Sequence, residues 1–329
     1  MNIIDAMKRS EWSNPHVIIV MGKGGVGKTT VSIRIAVELA DKGMNVLLAS
    51  LDPAAHMMKY LGLPRPLIEK RVLSGITAIQ YSIEPLAKKL SEDYSLLLKR
   101  LIPSLNALAS FDIASAIRES PGFEEEVFLR IMEELYSREG VDAVIVDTPP
   151  TGVALRVLRL PDLYGFWLSR LRELRERIIA TKYAIARALG KGGDVVNDPV
   201  LRKLETLENK YRKLGNELRN PARTSLVIVA TPEPLPVHEA RKVMEEAVRL
   251  RIRVEAIVAN RVLGERAGSI GVGEIEADSL REIEEIRCLQ YPPPGVVHVM
   301  HSLKPPSRLS DVVEMGGLIN VANVFGHGC

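Results

Sequence analysis

At 329 residues and 46% hydrophobic composition, the chain can bury a sizeable core as one large domain or two moderate ones. A net charge of +3 and an isoelectric point near 8.8 are too mild to specify nucleic acid as a partner. Two distant cysteines, Cys288 and Cys329, argue against a disulfide scaffold. The first fifteen residues carry no signal-peptide core, and no apolar run approaches the roughly 20 residues of a membrane span, so the expectation is a soluble, cytoplasmic protein.

Short β-branched runs alternate with longer helical patterns. Residues 16–21, 46–51, 76–80, 143–147, 226–230 and 255–259 are nearly continuous in apolar character, as strands of a parallel sheet covered on both faces must be. The expected architecture is doubly wound α/β, with a mostly parallel sheet. Two stretches break the alternation. Residues 85–135 are helical in pattern, broken near Pro103 and at Ser120-Pro121-Gly122, and 162–220 read as two long helices joined at Gly190–Gly193. In the second helix Val200, Leu204, Leu207, Tyr211, Leu214 and Leu218 recur at spacings of four and three, a narrow apolar stripe. Both stretches read as a helical subdomain inserted into a single nucleotide-binding domain spanning the chain.

Gly22-Lys23-Gly24-Gly25-Val26-Gly27-Lys28-Thr29 matches the phosphate-loop pattern between the strand at 16–21 and a helical run at 30–40. Glycines let successive backbone N–H groups face phosphate, and the helix N-terminus adds partial positive charge. On this reading ATP is the ligand, Lys28 reaches its β- and γ-phosphates, and the Thr29 hydroxyl ligates Mg²⁺. Asp147 closes a strand before Thr148-Pro149-Pro150, placed either to hold Mg²⁺ through water or to cap a helix. Asp52 follows the strand ending at Leu51, where a carboxylate can orient the attacking water. The histidines, His56 included, lack metal-ligand spacing, and Cys288 reads as a small buried apolar residue.

These residues resemble a known group. GKGGVGKTT, with its second lysine Lys23, is similar to the deviant Walker A ATPases that dimerise around nucleotide. VDTPPTGVALRVLRLP, residues 146–161, resembles the second switch of one branch: the arsenite-pump ATPase and the guided-entry targeting factor for tail-anchored membrane proteins. LDPAAH resembles that branch's first switch, ATPEPLPVHEARKV at 230–243 its adenine-side loop, VANRVL at 258–263 its adenine-reading segment, and SPGFEEE at 120–126 a further stretch. The matches keep the family's order from about residue 17 to 263.

The resemblance implies that Gly22, Gly24, Gly25, Val26, Gly27, Lys28, Thr29 and Thr30 hold phosphates, with Thr29 and Asp147 serving Mg²⁺. It makes Asp52 the water-orienting carboxylate, places Pro232, Glu233 and Asn260 against the nucleotide base, and sends Lys23 across a homodimer interface to the partner's nucleotide. Two departures stand out. Ala55-His56 replace the family's usual His-Asn, and residues 264–285 lack the cysteine pair that clasps zinc between targeting-factor subunits.

Three functions compete. The first is a targeting chaperone whose ATP state controls a groove for hydrophobic transmembrane segments of client proteins, with a possible membrane receptor and no nucleic acid. The second is the energising subunit of an anion (arsenite) pump, which the single unit and missing cysteine cluster disfavour. The third is a partition ATPase on DNA or membrane, disfavoured by the short, nearly uncharged end at 316–329. Tyr164, Trp167, Leu168, Leu171, Leu174 and Ile178 form an apolar face that either packs on the second helix or joins Leu97, Leu101, Leu105 and Leu108 in such a groove.

Overall fold

The computed structural model describes residues 3–7, 12–101, 112–189, 198–302, 306–314 and 319–323. Among these, nine strands make one sheet: β1 (His16–Met21), β2 (Val46–Ser50), β3 (Lys70–Leu73), β4 (Ile76–Gln80), β5 (Ala143–Asp147), β6 (Thr224–Ala230), β7 (Val254–Val262), β8 (Gly295–Met300) and β9 (Ile319–Asn323). Their order is β3-β4-β2-β5-β1-β6-β7-β8-β9. All neighbours run parallel except β3 with β4 and β8 with β9, the two outer pairs. Every residue of β1, β2, β5 and β6 is buried, which is why those strands read as unbroken apolar runs.

The helices are α1 (Lys28–Asp41), α2 (His56–Leu61), α3 (Ile83–Leu101), α4 (Ile113–Arg118), α5 (Phe123–Tyr136), α6 (Thr151–Ala188), α7 (Pro199–Arg219), α8 (Pro234–Leu250), α9 (Glu265–Ser269), α10 (Gly273–Arg287) and α11 (Leu309–Glu314). The doubly wound, mostly parallel α/β architecture is therefore present. Three strands escape the sequence reading. β3 carries Lys70 and Arg71 on an exposed outer strand, charges that also blunt pairing with another chain. β8 follows three consecutive prolines, Pro292–Pro294, and β9 lies beyond it at the edge of the sheet.

Helix α6 differs as well. It starts at Thr151 and runs 38 residues through Pro161, where the sequence suggests a boundary. Proline removes one backbone hydrogen bond inside a helix, and here the long flanks on either side carry the helix past it. Cys288 is a correction too: it caps the C-terminal end of α10 and is exposed, where a small buried apolar residue was expected. The helix positions one of its exposed turns there, which composition alone does not show.

The chain divides into two compact units. The first, residues 1–84, 130–156 and 218–329, holds the whole sheet. Its core packs Ile18 and Val20 of β1, Ile33 and Leu39 of α1, Leu48 of β2 and Val258 of β7. The second, residues 85–129 and 157–217, is helical. Within it Tyr211 and Leu214 of the α7 stripe are buried and Leu204 and Leu207 half-buried. The Tyr164 and Tyr211 rings meet at 4.9 Å, and Arg172 pairs with Glu208 at 2.9 Å. Leu105, Leu108 and the turn at 190–193 lie outside the described residues, as do the side chains of Leu97 and Leu101.

Candidate active site

In an open parallel sheet, ligands sit beyond the carboxyl ends of the strands. Register fixes what gathers there. Val20 of β1 and Ser50 of β2 both pair with Asp147 of β5, so three strands end side by side. Residues 22–27 leave β1, Asp52 follows β2, and Asp147 closes β5. On the other side of β1, β6 leads to Pro232 and Glu233, and β7 carries Asn260.

Backbone geometry shapes the loop. Gly22 has φ +155°, and a Cβ there would lie 2.1 Å from the Val229 carbonyl oxygen, so only glycine passes β6 at this point. Gly27 has φ +97°, and its Cβ would fall 2.3 Å from Asn260 Nδ2. Gly24 and Gly25 differ: both are exposed, and an added Cβ would meet nothing within 4 Å, leaving their backbone open to close approach.

At the start of α1, Lys28 is only 5% exposed. Burial pulls its ammonium below the usual lysine range, opposed by the charges of Asp147 and Asp52. The Thr29 hydroxyl donates to Asp147 Oδ2 at 2.8 Å, and Ser50 Oγ lies 3.4 Å from the same oxygen. Asp147 is fully buried, which pushes its carboxyl up to about 6 against the lowering pull of Thr29 and Lys28. Its Oδ1 is buried without a hydrogen-bond partner. Such an orphan oxygen next to the Thr29 hydroxyl is an oxygen pair that suits a hard cation, while the Lys28 ammonium supplies positive charge for phosphate oxygens.

Asn260, 5% exposed, donates from Nδ2 to the Val26 carbonyl at 2.7 Å and accepts the Arg261 N–H on Oδ1 at 3.0 Å. It thus clasps the loop from β7. Pro232 is buried and Glu233 exposed at the N-terminus of α8, while Lys23 and Thr30 are half-buried. Asp52 is half-buried, and its Oδ1 accepts the Ala54 N–H at 3.0 Å, closing a turn that sets Ala55 in the left-handed region at φ 52°. His56 is exposed.

Sequence reasoning missed three polar residues here. Thr148 donates to the Val20 carbonyl at 2.8 Å, tying the β5 exit to β1. Ser50 and Gln80 end β2 and β4, and both are buried. The available signal was a polar residue terminating an otherwise apolar strand.

A buried lysine and threonine at a helix start, facing a buried carboxylate, equip this edge for moving a phosphoryl group from a nucleotide to water. The class defined by this fold and edge is the P-loop nucleotide hydrolases. Residues 15–286 match the family of anion-transporting ATPases, and the chain belongs to that family. It is 28% identical over 274 residues to a protein of Aquifex aeolicus (strain VF5) named as an arsenical pump-driving ATPase, covering 82% of this chain and 88% of that one. It is 28% identical over 246 residues to ATPase GET3A of Arabidopsis thaliana, 75% of this chain and 67% of the relative. An ATPase ASNA1 homolog of Babesia bovis is 30% identical over 249 residues, 75% of this chain and 66% of the relative. The chain is an ATPase.

Proposed function

We propose that this ATPase is a homodimeric, cytoplasmic switch that carries hydrophobic transmembrane segments of client proteins to a membrane receptor. The observation that supports the carrier reading lies on α6 in the helical unit. Phe166 and Trp167 are each 57% exposed, Leu171 47% and Leu174 55%. Large apolar side chains adjacent on one helix are the mark of an interaction surface rather than of scattered surface residues. A cavity of about 410 Å³ opens beside them, lined by Phe123, Trp167, Leu168, Leu171, Leu207 and Tyr211 among others. Apolar area buried by a client helix is worth roughly 25 cal/mol per Å² before ordering costs.

In the hydrolytic cycle, Lys28 and the backbone at Gly24 and Gly25 hold the ATP phosphates, and the α1 N-terminus adds its partial charge. Asp147, through its unpartnered Oδ1, and the Thr29 hydroxyl would hold Mg²⁺, which supplies charge neutralisation at the β- and γ-phosphates. Asp52 orients a water whose oxygen attacks the γ-phosphorus as the bond to the β,γ-bridging oxygen breaks. Asn260 Oδ1 keeps a second lone pair for the adenine amino group, beside Pro232 and Glu233. Lys23 reaches the partner subunit's nucleotide, so that the dimer closes around ATP and loosens after hydrolysis.

A second reading, energising an anion pump, follows from the name of the Aquifex relative. Only two cysteines are available in this sequence to bind a soft metalloid. The carrier reading is tested on α6. Trp167→Asp with Leu171→Asp, folded by circular dichroism, should lose at least about tenfold in capture of a tail-anchor peptide with a non-hydrolysable ATP analogue, since two desolvated contacts are removed. Capture equal to wild type by the folded variant would place the client elsewhere.

A further inference from the structure

Strand β4 ends on a buried glutamine that the hydrolytic scheme leaves unused. Gln80 is 1% exposed. Its Nε2 lies 3.3 Å from the Ser50 carbonyl oxygen, 3.0 Å from that of Asp52 and 3.2 Å from that of Tyr81. Three carbonyl oxygens around one end of a carboxamide identify that end as the amino group, because the oxygen would bring lone pairs against lone pairs. The other end, Oε1, is buried with no hydrogen-bond partner. An unmet buried acceptor costs stability, and its retention sets this side chain apart from an ordinary core glutamine.

The contacts fall on the segment that carries Asp52. Ser50 is the last residue of β2 and pairs in register with Gln80. Beyond it, the Tyr81 N–H reaches back to the Ser50 carbonyl at 2.9 Å. The turn that follows is closed from within, by the Ala54 N–H on Asp52 Oδ1 and the Ala55 N–H on the Asp52 carbonyl at 3.1 Å. Those bonds set the turn's shape, while the Leu51 N–H, donated to the Asp147 carbonyl at 2.8 Å, ties its start to β5. Gln80 reaches the turn from the neighbouring strand: its amino group holds the carbonyls of residues 50 and 52, one on each side of Leu51.

We propose that Gln80 is the positioning residue of Asp52, fixing the backbone from which the carboxylate orients the attacking water. The inference rests on the reading of Asp52 given above. Gln80 touches neither the residues 22–30 nor Asp147 through any of these bonds, so its loss should spare phosphate binding and act on the chemical step. Misplacing a group that positions a reactant by about 1 Å can cost on the order of a hundredfold in rate.

The test compares Gln80→Met with Asp52→Asn. Methionine keeps the length and volume of glutamine and removes the donor. Gln80→Met is expected to bind ATP within about twofold of wild type while kcat falls by about tenfold or more, the pattern of a lost transition-state contact. Hydrogen exchange at the Ala54 and Ala55 amides should quicken, with the α1 amides unchanged. A folded Gln80→Met with wild-type kcat, alongside an inactive Asp52→Asn, overturns the role of Gln80 and leaves that of Asp52 standing. Full hydrolysis by Asp52→Asn removes both. Should Gln80→Met fail to fold, the wild-type protein decides: the Gln80 side-chain amide protons, followed by NMR, should be protected from exchange, and their free exchange would overturn the proposal.

Discussion

Asp147→Asn is expected to yield a protein that is more stable without nucleotide and inactive with it. Burial raises the Asp147 carboxyl from 3.8 to about 6, so at neutral pH the folded chain holds a charge that the unfolded chain would carry at lower cost. A difference of that size corresponds to about 3 kcal/mol, reduced by whatever Lys28 loses with its partner. The sign follows from linkage. The folded group binds its proton more tightly than the unfolded one, so the cost grows as pH rises from about 4 to about 6 and is constant above. Asparagine is neutral throughout and still accepts the Thr29 hydroxyl. The gain should therefore appear in urea unfolding at pH 7 and vanish near pH 4, while Mg²⁺-dependent hydrolysis is lost. A variant less stable than wild type at pH 7 would mean that Lys28 and Thr29 more than offset the burial of this charge.

Lys28→Ala should abolish hydrolysis, by a factor of about 10² or more, and weaken ATP binding with it. The ammonium is the buried cation of the phosphate loop, and its removal leaves phosphate charge and Asp147 without compensation. Lys28→Met, which keeps the stem of the side chain, separates charge from packing. Binding titrations and hydrolysis rates on both variants check this, and near-normal turnover by Lys28→Met would contradict it.

How much of this was readable in the sequence depends on whether the signal is local. The strand at 16–21, the glycines and Lys28-Thr29 are contiguous, and each needs only its neighbours to be understood. Asp52 and Asp147 were visible as carboxylates ending apolar runs, because parallel strands expose their carboxyl ends on one edge. Gln80 ends such a run too, yet its contacts come from pairing with Ser50 across 30 residues, which no local pattern carries. Asn260 was singled out through resemblance; its bond to the Val26 carbonyl follows only from the position of β7 two strands from β1. Pro161 pointed the other way: as a helix breaker it suggested a start near 162, whereas α6 begins at Thr151. β8 escaped because Pro292–Pro294 sit directly before it and interrupt the apolar run.

If ATP controls capture of an apolar segment, a fluorescent tail-anchor peptide titrated with the wild-type protein and Mg²⁺ should bind differently with a non-hydrolysable ATP analogue than with ADP. A nucleotide can shift a two-state equilibrium only by its differential affinity for the two states, and a useful switch requires capture at least about tenfold tighter in the ATP form. Equal affinity with both nucleotides, or no capture together with hydrolysis stimulated by arsenite, would contradict the account and favour the pump.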